Sequence, residues 1–163
     1  MSSVVRLCAK YDKPLCADPS SARLAYKLRP FLEQLHLVVP NEVEAAALCE
    51  VDFDGPDPEA SLALARCLVG KGVSNVVVTL ADYGLDYATN SEVGYIPANY
   101  SEYVDATGTG DAVTAAIMFG MLNDLPPIEA IRLGAAAASL TLQTAETVVP
   151  DLSLDMLYDH LIV

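Results

Sequence analysis

The sequence predicts an α/β protein, a layered sheet flanked by helices, and three observations predict it. Apolar, β-branched runs alternate along the chain with alanine- and leucine-rich segments, which is the order of strand–helix alternation. The run Asn75–Leu80, containing Val76-Val77-Val78, is the strongest strand signal in the chain. The length of 163 residues, 53% of them hydrophobic, is enough for one domain with a substantial core.

The elements follow in order. Val4–Tyr11 has helical character, and Pro14–Ala17 reads as a short buried strand ended by Asp18-Pro19. Ser20–Leu35 is a polar, partly helical connection, and Leu37–Val39 is a second short apolar strand. Pro40 then introduces Asn41–Cys49, whose alanines, leucine and glutamates suit a short helix. Glu50–Glu59 holds five acids with Gly55, Pro56 and Pro58, so a solvated loop is expected; its spacing matches no calcium loop. Ala60–Gly70 is a helix closed by Gly70 and Gly72. Beyond the strand Asn75–Leu80, Gly84–Thr89 and Glu92–Pro97 make a hairpin across Asn90-Ser91, and a further strand is expected near Glu102–Val104. Ala112–Leu122, Ile128–Gln143 and Leu154–Leu161 are helices. No repeat, low-complexity tract or domain boundary interrupts this order, so residues 1–163 are expected to form a single domain.

Charge narrows the function. The net charge is −13, yet six of the nine basic residues lie within the first 29 positions. Beyond them Arg66, Lys71 and Arg132 face 20 of the 22 acids. A nucleic-acid duplex is therefore not the expected partner, since such binding rests on clustered Lys and Arg. A polyphosphate bound by the later part must be neutralised by backbone amides and a divalent cation. Cys8, Cys16, Cys49 and Cys67 show no Cys-x-x-Cys pairing, and only His36 and His160 supply imidazole, so no structural zinc is expected. No signal-peptide pattern opens the chain and no apolar stretch is long enough to span a bilayer. The expectation is a cytoplasmic protein with reduced thiols.

Chemistry concentrates at Asp105–Asp111, DATGTGD, which runs directly into AVTAAIMFGML. Two glycines let a turn approach a ligand closely, and the N-terminus of the following helix offers unpaired N–H donors and partial positive charge. Asp111 stands beside any phosphate bound there, placed to orient or deprotonate an attacking hydroxyl. Taken alone, the segment also fits a glycine turn whose aspartate merely occupies the first helical turn. A dinucleotide fold fits less well, because Val113 stands where the third glycine belongs. No lysine-bearing phosphate loop of the Walker type is present.

Three motifs occur in order: Pro40-Asn41-Glu42-Val43-Glu44, then Val78-Thr79-Leu80-Ala81-Asp82-Tyr83-Gly84, then Asp105–Asp111. Together they resemble the PfkB or ribokinase-like family of sugar and nucleoside kinases. Ala17-Asp18-Pro19-Ser20-Ser21 and Pro150-Asp151-Leu152-Ser153 point within it to the pseudouridine kinase branch. The resemblance implies a ribokinase-like sheet and transfer of the ATP γ-phosphate to a hydroxymethyl group of a nucleoside or sugar. Asp111 would be the catalytic base, and Gly108, Thr109 and Gly110 the anion hole. Asn41 and Glu44 would position Mg²⁺ and phosphate. Thr79, Asp82 and Gly84 would lie along the nucleotide, and the strip Gly134–Ser139, Ala138 included, would border the adenine. Asp105 and Thr107 match positions that help hold a monovalent cation such as K⁺.

Each site has a plainer reading: a helix-surface glutamate for Glu44, a strand-end turn at Thr79–Gly84, close helix packing for the alanine strip. The chain also departs from the pattern. Thr109 replaces a small residue of the anion hole, where it could crowd the phosphate or lend its hydroxyl; Ala81 replaces a common glycine; Ala106 is also unusual. The resemblance spans almost the whole chain but only the C-terminal half of the family pattern. The glycine-rich sugar-binding segment and the lid strands have no counterpart. Weak or absent turnover by this chain alone is therefore expected, as is a second copy or partner chain covering the exposed sheet edge.

Overall fold

Short apolar runs set the strands. β1 (Cys16–Ala17), β2 (Leu37–Val38) and β3 (Asn75–Thr79) run parallel, with Cys16 opposite Leu37 and Leu37 opposite Asn75. β4 (Gly84–Thr89) returns antiparallel along β3, placing Tyr87 opposite Val77, and β5 (Val93–Pro97) ends the order β1-β2-β3-β4-β5. The computed structural model describes residues 1–99 and 102–161. It resolves into two compact units: Met1–Ala81 with Leu85–Tyr95, and Asp82–Gly84 with Ile96–Val163.

In the first unit, Val76 and Val78 lie on one face of β3 and bury against Leu35, Leu48, Ala65 and Leu68. Full burial of each leucine contributes about 1.5–3 kcal/mol. The surrounding helices are α1 (Ser2–Lys10), α2 (Ala22–Ala25), α3 (Glu42–Cys49) and α4 (Pro58–Gly70). No residue of α1 is buried; Val5 and Cys8 rest half-covered on the core. α4 starts within the segment expected to be an acidic loop. The Asp57 carboxylate accepts the Glu59 amide at 2.9 Å and Pro58 takes the first helical position, so one of the five acids is a cap.

One polar pair interrupts this core. Asp86 on β4 is 2% exposed and accepts a hydrogen bond from Ser61 of α4. Burial pushes its carboxyl above the ordinary range, and the Ser61 bond offsets this only in part. The folded chain therefore binds this proton more readily than the unfolded chain. Stability attached to Asp86 is present at low pH and falls as pH rises through the unfolded and then the folded value. Asp86→Asn is expected to raise the melting temperature at neutral pH by about a few degrees, a gain that shrinks on acidification. Thermal scans of both proteins across the acid range check this.

The second unit is built on α5 (Thr109–Leu122) and α6 (Pro127–Leu142), with α7 (Leu154–Asp159) against them. Ala116, Leu133, Ala137, Leu140 and Leu157 form its core. α5 and α6 approach closely at Gly134, where a Cβ would stand 2.7 Å from Ile117. The strand expected near Glu102–Val104 is absent. Those residues are irregular, and the Val104 amide donates to the Leu142 carbonyl at 2.8 Å. The backbone there is satisfied by a helix end rather than by a strand neighbour. No helix among the described residues is long and apolar enough to cross a membrane.

Candidate functional site

The sequence-predicted site residues fall into two clusters, one in each unit. In the second unit the segment Asp105–Asp111 turns directly into α5. The Asp105 carboxylate accepts the Thr107 amide at 2.7 Å, and the Thr107 hydroxyl and amide together hold this carboxyl below its ordinary range. Gly108 caps the helix with φ +88°, and a Cβ there would lie 2.1 Å from the Thr147 carbonyl oxygen. Glycine is required here by backbone conformation and by close approach alike. The Thr109 amide donates back to Ala106 at 3.1 Å, and the ladder proper begins when Ala112 donates to Gly108 at 2.9 Å. The Gly110 and Asp111 amides thus precede the intrahelical ladder and are donors for an anion.

Gly110 is different in kind. Its φ lies outside the left-handed region, and nothing stands within 4 Å of where its Cβ would be. The fold does not require a glycine there, yet a glycine costs a helix about 1 kcal/mol relative to alanine. Open space over a bare backbone at a helix N-terminus is what a bound phosphate needs. Thr109 Oγ1, by contrast, is buried and lacks a hydrogen-bond partner among the described residues, so its hydroxyl is not displayed to a ligand. Asp111 is exposed on the first turn of α5. With Thr107 and Gly108 it lines a cavity of about 590 Å³ whose walls are mainly apolar, Phe119, Val148 and Leu154 among them. Polar groups gather at the α5 N-terminal end of an otherwise apolar space, the usual plan of a small-molecule site.

The first unit holds the other cluster. Asn41 caps α3 by accepting the Glu44 amide at 2.9 Å, and Glu44 Oε2 accepts the Asn41 amide at 3.0 Å. This reciprocal pair satisfies two N–H groups at the helix start. Glu44 is 5% exposed, so the helix-surface reading of this residue is overturned. Burial raises its carboxyl above the ordinary value; the Asn41 bonds oppose the shift, and the charge of Asp18 adds to it. The charge of Asp18, just past the end of β1, thus reaches the Glu44 carboxyl. Sequence reasoning gave Asp18 no role, although its place just after β1, neighbour of the strand leading to Asn41, was the available signal. Thr79 belongs to the same cluster: its amide donates to Pro40 at 2.9 Å, and it bridges Asn41 in parallel register.

Asp82, Gly84 and Ala138 belong to the second unit. Asp82 falls in the short 3-10 turn Ala81–Tyr83, and Gly84 follows with φ +113° and a would-be Cβ 2.1 Å from the Ile96 carbonyl. Glycine at 84 answers to this turn. Ala138 is half-buried on α6 and is not among the residues lining the cavity at Asp111, whereas Thr141, one turn on, is. Close packing at Gly134 accounts for part of the small-residue strip. Among the described residues, no group of three or more His, Cys, Asp or Glu side chains is arranged to hold a metal ion.

Comparison with known proteins completes the assignment. The family model "pfkB family carbohydrate kinase" matches residues 3–153. The pseudouridine kinase of Escherichia coli is 29% identical over 142 residues, covering 86% of this chain and 45% of that protein. Among solved structures, Arabidopsis thaliana ribokinase complexed with ribose and ATP is 24% identical with a TM-score of 0.75, covering 96% of this chain and 50% of its own. An E. coli protein described as ribokinase II, in complex with ATP and Mg²⁺, is 20% identical with a TM-score of 0.78, covering 96% of this chain and 51% of its own. These likenesses establish the ribokinase-like fold, and the chain spans about half the length of the relatives it matches. The glycine turn at the head of α5, the capped Asn-x-x-Glu helix and a family match across nearly the whole sequence lead to one conclusion: this chain belongs to the pfkB family of carbohydrate kinases.

Proposed function

We propose that residues 1–163 form the nucleotide-binding and catalytic half of a kinase that transfers the ATP γ-phosphate to a hydroxymethyl group of a nucleoside or sugar. Pseudouridine is the acceptor to test first, on the strength of the E. coli relative. The observation that carries the reading is Gly110, a glycine that the fold does not need, at the mouth of an anion-binding helix. In this reading the Gly108–Gly110 turn receives the phosphoryl group on the Gly110 and Asp111 amides, while the Thr109 amide stays with the Ala106 carbonyl and its hydroxyl stays buried. Asp111 accepts the proton of the attacking hydroxyl. Asn41 and Glu44 hold Mg²⁺, which when bound neutralises phosphate charge. Glu44 is a fitting hard oxygen donor, and a cation beside it would relieve the repulsion that the charge of Asp18 exerts on its carboxyl. Thr79, Asp82, Gly84 and Ala138 contact the nucleotide, and Asp105 with Thr107 holds K⁺. The protein acts in the cytoplasm.

A second reading shares the site but not the turnover: a chain that binds nucleotide and works only with a second copy or partner chain. Its support is on α5, where Met118 and Leu122 lie outside the cavity wall and are exposed, Leu122 by 72%. Calorimetric titration of ATP with Mg²⁺ into wild-type protein and Asp111→Ala separates the readings, followed by phosphoryl transfer to pseudouridine. The kinase reading expects saturable binding by both proteins and transfer by wild type alone. Binding without transfer by either protein supports the second reading, and folded wild type that binds no ATP defeats both.

A further inference from the structure

Two cysteines that the kinase site does not use face each other in the first unit. Cys49 is the last residue of α3 and buried; Cys67 lies on α4 and is half-buried. The Cys49 thiol donates to the Leu64 carbonyl at 3.5 Å, one turn before Cys67, and a helical side chain at 67 leans back toward that turn, which brings the two thiols to the same α3–α4 contact. Both line a cavity of about 700 Å³ bounded by α3, α4 and the intervening acidic segment, with Phe53 in its wall. The cavity gives a small oxidant access to Cys67.

We propose that Cys49 and Cys67 are a modification site: a thiol pair that a low-molecular-weight disulfide converts into a covalent clamp between α3 and α4. Cys67, the more accessible, attacks one sulfur of the oxidant RSSR as thiolate, forming Cys67–S–S–R and expelling RS⁻. Cys49 then gives its proton to that thiolate and attacks the Cys67 sulfur, which breaks the mixed bond and releases the second RS⁻, protonated from solvent by the proton Cys67 shed. Two protein thiols are oxidised to one disulfide, and one oxidant disulfide is reduced to two thiols. Burial pushes the Cys49 thiol far above its ordinary value, followed in effect by its contact with Cys67, so Cys49 is the resolving thiol and not the entry point. Their shared place at the α3–α4 contact and in one cavity wall keeps the second step intramolecular, and closure constrains the intervening chain in the unfolded state. The clamp fastens the far end of the helix that Asn41 and Glu44 open, and so ties thiol oxidation to the rigidity of that helix.

The test is incubation of native protein with oxidised glutathione, followed by acid quench and peptide mapping without reductant. The expected result is a Cys49–Cys67 cross-link dominant over every other pairing. It should come with a melting temperature raised by about several degrees and slower hydrogen exchange in α3, both reversed by dithiothreitol. Cys49→Ser should stop at a glutathione adduct on Cys67. Cys67→Ser, at a half-exposed position and so less prone to misfold, should give neither cross-link nor adduct at Cys49. A persistent wild-type adduct on Cys67, a dominant Cys8–Cys16 bond with 49 and 67 unreacted, no reaction at either thiol, or a cross-link that lowers the melting temperature would each overturn the proposal.

Discussion

Gly110→Val is expected to remove saturable ATP binding while leaving the protein at least as stable as wild type. The two halves of that result come from different physics. Valine has a higher helix propensity than glycine, and its Cβ would enter space where nothing stands within 4 Å, so no loss of stability is expected. That same space, over amides that precede the α5 ladder, is where a phosphate must approach the backbone. Two methyl groups there hold the phosphate off the amides, and binding should weaken more than about tenfold, equivalent to about 1.4 kcal/mol. Paired urea denaturation and ATP titration check it. Unchanged affinity would mean that the nucleotide phosphates do not lie at the head of α5, whatever the family.

Gly108→Ala should give the reverse pattern, a loss of folding that precedes any question of binding. At φ +88° an alanine is strained by about 1–2 kcal/mol. Its Cβ would also come 2.1 Å from the Thr147 carbonyl, a distance no contact tolerates, so the turn or the 147 segment must shift. A destabilisation of more than about 2 kcal/mol in urea is expected. Near-wild-type stability would show that the turn relaxes freely and that Gly108 is kept for its ligand instead. The two glycines, two positions apart, thus separate the architecture of the loop from its chemistry.

Local chemistry was legible in the sequence, and long-range satisfaction was not. The valines of β3 and the apolar spacing of α5 and α6 announced those elements because propensity and packing agree there. The head of α5 was equally readable, since glycine, threonine and aspartate at 105–111 act through their own backbone. Errors arose where a residue answers to something distant in sequence. Glu102–Val104 has strand-like composition, but Val104 is claimed by the end of α6. Asp57-Pro58 is a helix start that was hidden in a crowd of acids. Glu44 looked solvent-facing on its own helix, yet the folded chain buries it, and the charge of Asp18, distant in sequence, acts on its carboxyl. Asn-x-x-Glu is spelled the same way by a helix cap and by the proposed cation site, and only the structure shows that the cap is formed.

With Mg²⁺ held there as proposed, the start of α3 would be a point of competition. Asn41 and Glu44 already spend their oxygens on each other's amides, and such a cap is worth about 1 kcal/mol to its helix. A cation that recruits the same oxygens directly must outbid the helix for them, whereas one that keeps its water shell can lean on the cap without opening it. Hydrated Mg²⁺ suits the second arrangement, and an ion that sheds its water easily suits the first. On the proposed reading the fold would disfavour one kind of metal more than another before any geometry around the ion is considered, and discrimination would begin in the hydrogen bonds that start a helix.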